Sequence, residues 1–216
     1  MKKCLVSILL ALISGTALGQ AADVALVSMV SGDAAYVPQA GTPGKVRPFM
    51  KVLHGDRFNV AAGGQLRIVF FEGARQELWT GPASFRAGKA AAEPLSGKAA
   101  ETRYLPAGVV QTLARVPEIV QYAKLGGTQI RGALTRQQKA GLDRQATLAQ
   151  ARAAYEKMRQ DAPADDISPE LYLYAALYEF LVYDEMKAVV AEMRRKQADN
   201  EDAKALDAWL RSRMPH

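Results

Sequence analysis

The chain has 216 residues with 28 basic and 22 acidic side chains, a formal net charge of +6, one cysteine and two histidines. Its length allows one large or two small domains. So few thiols and imidazoles exclude a disulfide-stapled fold and leave little material for thiolate or histidine-centred catalysis.

The opening stretch "MKKCLVSILLALISGTALGQAAD" has two lysines, an apolar run from Leu5 to Ile13, and Ala17 and Gly19 at the minus-three and minus-one positions of a cleavage site. Residues 1–19 therefore read as a signal peptide that is removed, which places the mature chain in the periplasm. The run is too short for a bilayer span of roughly 20 residues, and no later segment is suited to one, so no stable membrane span is expected after cleavage. Cys4 precedes the apolar run, whereas a lipid-modified cysteine follows it. The mature chain is expected to hold no thiol.

Residues 20–104 read as a small all-β sandwich or barrel, with short runs broken by glycine, proline and asparagine every eight to twelve positions. "VALVSMV" alternates, "QAGTPGK" is a loop, and Gly55-Asp56 makes a turn inside "VRPFMKVLHGDRFNV". The clearest hairpin is "GGQLRIVFFEGARQELWTG". Side chains alternate at period two, so Leu66, Ile68 and Phe70 share one face and Arg67, Val69 and Phe71 the other. Glu72-Gly73 is expected at the bend, where glycine accepts the positive φ of a two-residue turn. The return strand sends Leu78 and Trp79 to opposite faces, Gly81-Pro82 ends it, and Phe85 opens the next. Phe70, Trp79 and Phe85 read as core, while Trp79 or Phe85 exposed beside Arg75 would instead form a binding face.

From Pro106 the period changes. Val109, Val110, Leu113, Val116, Ile119, Val120 and Ala123 recur at three and four, a helical stripe that Pro117 should break or kink. Residues 105–135 are thus a connector with one or two short helices. Residues 136–216 read as an antiparallel helical domain. Thr135 caps the first helix, Gly141 is a weak point inside it, and Ser168-Pro169-Glu170 starts the next, with Ser168 as its cap and Pro169 in the first turn. "ELYLYAALYEFLVY", "DEMKAVVAEMRRK" and "NEDAKALDAWLRSR" follow as three helices on tight turns. The whole is α+β, with the β domain first. Tyr172, Tyr174, Tyr178 and Tyr183 cannot all face one core, so Tyr174 and Tyr178 are candidates for a surface or groove.

Charge is segregated. Residues 104–160 carry nine basic against three acidic side chains, and residues 161–216 seven against twelve. Either two solvated helical faces attract one another, or a basic strip meets an anionic envelope polymer or lipid headgroups. Nucleic acid is not an expected partner.

Catalytic motifs are scarce. His54 precedes the Gly55-Asp56 turn and His216 is terminal, no cluster has metal-ligand spacing, and no serine lies in a G-x-S-x-G context. "AGTPGKV" lacks the first glycine and the hydroxyl of a phosphate loop. Asp165-Asp166 and Asp184-Glu185 sit where carboxylates favour a helix start. No cofactor or metal is expected.

The stretch "GDRFNVAAGGQLRIVFFEGARQELWTGPASFRAG" resembles the periplasmic domain of FecR-type proteins, the ferric-citrate regulator family, through Gly55, Asp56, Gly64, Leu66, Ile68, Phe70, Gly73, Leu78, Gly81 and Phe85. Glu72 stands where Asp is usual, and Val60-Ala61 where a threonine follows the strand. The resemblance spans residues 24–104. It implies a β domain that serves envelope signalling. The family's regulators carry a cytoplasmic anti-sigma segment and a membrane span, both replaced here by the leader. "LYLYAALYEFLVYDEMKAVVAEM" also resembles one tetratricopeptide-type pair. The expectation is a non-enzymatic periplasmic binding or scaffold protein whose partners are envelope proteins. Alternatives are a peptidoglycan-binding module and an envelope hydrolase using Asp33, Asp56 or Glu72.

Overall fold

The structure, a computed structural model, describes residues 23–106, 108–127 and 144–214. The leader, the Thr135 cap, the Gly141 weak point and His216 lie outside them. The first described part is a sandwich of two five-stranded antiparallel sheets. Its strands are β1 (Asp23–Ser31), β2 (Ala34–Val37), β3 (Gly44–Lys45), β4 (Lys51–Leu53), β5 (Arg57–Val60), β6 (Gln65–Phe70), β7 (Arg75–Thr80), β8 (Ala83–Ala87), β9 (Ala92–Ser96) and β10 (Glu101–Tyr104). One sheet has the order β10-β7-β6-β1-β4 and the other β3-β2-β5-β8-β9.

Between the sheets lies a dry layer built by alternation. Leu66, Ile68 and Phe70 point into it from β6, with Trp79 from β7, Phe58 from β5 and Phe85 from β8. The rings form a file: Tyr36 to Phe58 at 5.5 Å, Phe58 to Phe85 at 5.1 Å and Phe85 to Trp79 at 4.4 Å. A side chain of this size contributes about 1.5–3 kcal/mol when fully buried. Gly81 is where two turns meet: its amide donates to the Gly64 carbonyl at 2.9 Å, and an added Cβ would lie 1.8 Å from the Ala61 carbonyl oxygen. The Gly55-Asp56 turn is locked from within. Asp56 accepts from the Leu53 amide at 2.8 Å, the Gln39 amide at 3.1 Å and the Tyr36 hydroxyl at 3.2 Å.

Between β6 and β7, Phe70 opposes Arg75, so residues 71–74 join the two strands, with Gly73 at φ 82° and Ala74 at φ 51°. The Phe71 amide faces β1 by alternation and donates to the Val24 carbonyl at 2.9 Å, while its carbonyl accepts the Ala74 amide at 3.4 Å, so Glu72 and Gly73 still form the bend.

Beyond the sandwich stand α1 (Val109–Leu113), α2 (Val116–Lys124), α3 (Arg144–Asp161), α4 (Ser168–Phe180), α5 (Tyr183–Lys196) and α6 (Glu201–Arg213). Pro117 breaks the stripe by starting a helix: it occupies the first turn of α2, where its missing N–H is not needed. At α4 the expected cap moves. Asp166 accepts the Ser168 amide at 2.9 Å, and Ser168 lies inside the helix. Asn200 caps α6 by accepting the Asp202 and Ala203 amides, both at 3.1 Å. Among the described residues no helix is long and apolar enough to cross a membrane.

The helices do not form a core of their own. Leu26 of β1, Val69 of β6 and Phe49 join Leu113, Ile119, Leu171 and Leu210 in one continuous cluster. The first sheet is therefore the middle layer of three, covered by the second sheet on one face and by helices on the other.

Candidate functional site

The five residues singled out from the sequence fall into two clusters. Trp79 and Phe85 are 1% and 0% exposed inside the sandwich, so they form no outward face. Arg75 lies beside them, half-buried, and its Nε donates to Glu77 Oε1 at 2.6 Å. Glu77 is itself buried and accepts the Trp79 indole N–H at 2.8 Å and the Ala92 amide at 3.3 Å. Arg75 is thus the outer end of a structural ion pair that supplies Trp79 with a partner.

Tyr174 is 1% exposed, and Tyr178 is half-buried. Tyr178 packs 5.6 Å from Trp209 and 6.5 Å from Tyr174, with Tyr122 and Tyr183 also beside Trp209. Burial, and then the neighbouring tyrosines, push the Tyr174 phenol well above its ordinary range. These rings fasten α2, α4, α5 and α6 together. Among the described residues the buried Tyr174 hydroxyl and Trp209 indole N–H have no hydrogen-bond partner.

The carboxylates considered for hydrolysis do not converge. Asp56 is fully buried in its turn, whereas Asp33 and Glu72 are exposed on loops. Ser31 opposes Gln65 and Ala25 opposes Phe70, so those two loops lie at opposite ends of the sheet, on the order of 17 Å apart. His54 is exposed on its turn.

The segregated charges largely find one another. Arg115 pairs with Glu179, Lys124 with Asp202, Arg152 with Glu185 at 2.6 Å and Arg159 with Glu170 at 3.1 Å. Each pair joins the basic middle to the acidic end. Glu170 is fully buried and also accepts from Lys196 at 2.7 Å and from the Tyr155 hydroxyl at 3.4 Å.

A groove that the sequence reading did not single out opens where β10 meets the end of α3, with a volume of about 190 Å³. Its floor is polar and buried: Gln76 of β7 donates to Asp166 at 3.0 Å and to Ser168 at 2.8 Å. Behind that floor Arg67, 2% exposed, lies 3.5 Å from Asp165 and 3.8 Å from Asp166, with Nη1 lacking a hydrogen bond among the described residues. One wall is Arg103, Tyr104, Leu105 and Pro106, and the other is Lys157, Met158, Asp161 and Ala162. Arg103 pairs with Glu101 and donates to the Asp161 carbonyl, tying the walls together. Among the described residues the Lys157 ammonium and the Asp161 carboxylate have no ion-pair partner, and Tyr104 is 70% exposed. The sequence signal for this site was faint: an exposed aromatic at a strand end and an i,i+4 charge pair.

Comparison of the chain with protein-family models, with curated proteins and with solved structures gives no match. The fold is α+β, with a surface groove where the first sheet meets the helical layer.

Proposed function

We propose that this chain is a non-enzymatic periplasmic protein whose FecR-like β domain and helical layer bind other envelope proteins, as a scaffold or as a component of envelope signalling. The observation that carries this reading is the groove at the seam. It combines a fixed polar floor, apolar walls and two unspent charges, the mixture of anchoring and orienting groups found in recognition sites. The leader and the FecR resemblance add compartment and context. Crosslinking in intact cells followed by purification is expected to recover the same envelope protein under several growth conditions. Recovery of none would overturn the reading.

Peptidoglycan binding draws on the basic strip, and four of its cations are engaged by carboxylates of the last helices. That makes it the weaker alternative. Sedimentation with purified peptidoglycan at physiological salt is expected to leave the protein in the supernatant.

A further inference from the structure

We infer that the groove beside β10 receives an extended segment of a partner protein that carries an acidic and a basic residue two positions apart. The inference rests on the protein-binding reading above and names the form of the partner.

Three observations lead to it. First, among the described residues β10 is an outermost strand, paired with β7 on one side only. The Leu105 amide donates to the Ala74 carbonyl at 2.8 Å. By the alternation of a ladder, Glu101 and Arg103 bond back to β7, and the backbone groups of Thr102 and Tyr104 face away from it, where an added strand would meet them. Second, the edge does not stand in open solvent. The end of α3 forms a wall alongside it, so an added strand would lie between a sheet edge and a helix, an arrangement that recurs in peptide recognition by strand addition.

Third, that wall carries its own charge pattern. Lys157 and Asp161 are four residues apart on α3, hence about 6 Å apart along its axis. Both are exposed, and they pair neither with one another nor with another described residue. On an extended chain, side chains that share a face recur every two residues, about 6.7 Å apart. A carboxylate and an ammonium at that interval match Lys157 and Asp161 in spacing and in sign. Met158, Leu105 and Pro106 supply apolar contact between the charges, and the exposed Tyr104 ring stands at the open end of the strand. A uniformly acidic or basic segment would leave one of the two wall charges facing its like.

The test places a photo-crosslinking amino acid at Tyr104, or for contrast at Leu95 on the distant strand β9, in the full chain in intact cells. The crosslinked partner peptide is then mapped by mass spectrometry. Crosslinks are expected from Tyr104, to a segment with opposite charges two residues apart. A synthetic peptide of that segment should bind the purified protein, bind the K157E/D161K variant at least ten-fold more weakly, and recover when its own two charges are exchanged. Crosslinks from Leu95 alone would overturn the groove assignment while sparing the protein-binding reading. Crosslinks from neither position would overturn both. Crosslinks from Tyr104 to this chain itself or to a second copy, or affinity indifferent to the charge exchange, would overturn the segment chemistry proposed here.

Discussion

Glu77 shows how a buried charge can serve a hydrophobic layer. Its two oxygens take up the Trp79 indole N–H, the Arg75 guanidinium and the Ala92 amide, so the largest ring in the sandwich is buried with its donor satisfied. Replacing Glu77 with leucine would remove the acceptor and leave these donors without it, which costs about 3 kcal/mol. Urea titration followed by tryptophan fluorescence is expected to show that loss. Tyr155 provides a second test. Burial, reinforced by the Glu170 carboxylate, pushes its phenol up to about 12. The folded state therefore holds this proton after the unfolded chain, with a value near 10, has released it. That contribution is complete below about pH 10 and disappears as pH rises towards 12. Thermal melts between pH 9 and 12 should fall less steeply for Tyr155→Phe than for the parent.

Element boundaries were legible where backbone chemistry is local, and not where a distant group intervenes. Pro117 could be recognised as an interruption because proline lacks an N–H, and the glycines at 55, 73 and 81 marked real turns. The Glu72-Gly73 bend was legible, whereas the bond from the Phe71 amide to Val24, forty-seven positions earlier, was not. The cap of α4 escaped for a similar reason. Ser168 has the right chemistry for it, but its hydroxyl is taken by Gln76, and Asp166 holds the helix amide instead. Asp166 accordingly binds α4, Gln76 and the neighbourhood of Arg67 together. Asp166→Ala removes a cap worth about 1 kcal/mol and also leaves a buried guanidinium short of countercharge, for a total of about 3–5 kcal/mol. Ser168→Ala should cost only about 1 kcal/mol. Parallel thermal denaturation of the two variants would distinguish the assignments, and equal losses would return the cap to Ser168.

At the scale of the molecule, the α+β class and the order of its parts followed from the change of period at Pro106. The joining of those parts did not. Periodicity shows that Leu26 and Val69 belong to apolar faces; only tertiary structure shows that those faces continue the helical core. The same holds for the charges: composition revealed their segregation, but pairing such as Arg152 with Glu185 depends on which helices become neighbours. A fragment spanning residues 20–104 is expected to be a poor independent domain, since without the helices it would expose Leu26, Phe49, Val69 and the Arg67 side chain. Size-exclusion chromatography with a fluorescent hydrophobic dye should find it associated and dye-binding, whereas the full chain should bind little dye. A monomeric fragment that excludes the dye would refute the shared core. The middle-layer position of β6 also bears on how such a protein can change. From Leu66 to Phe70 none of its residues is more than 2% exposed, so a substitution there must suit the packing of one layer or the other. Divergence that alters recognition without endangering folding is left to the rim, where Tyr104, Lys157 and Asp161 can vary at little structural risk.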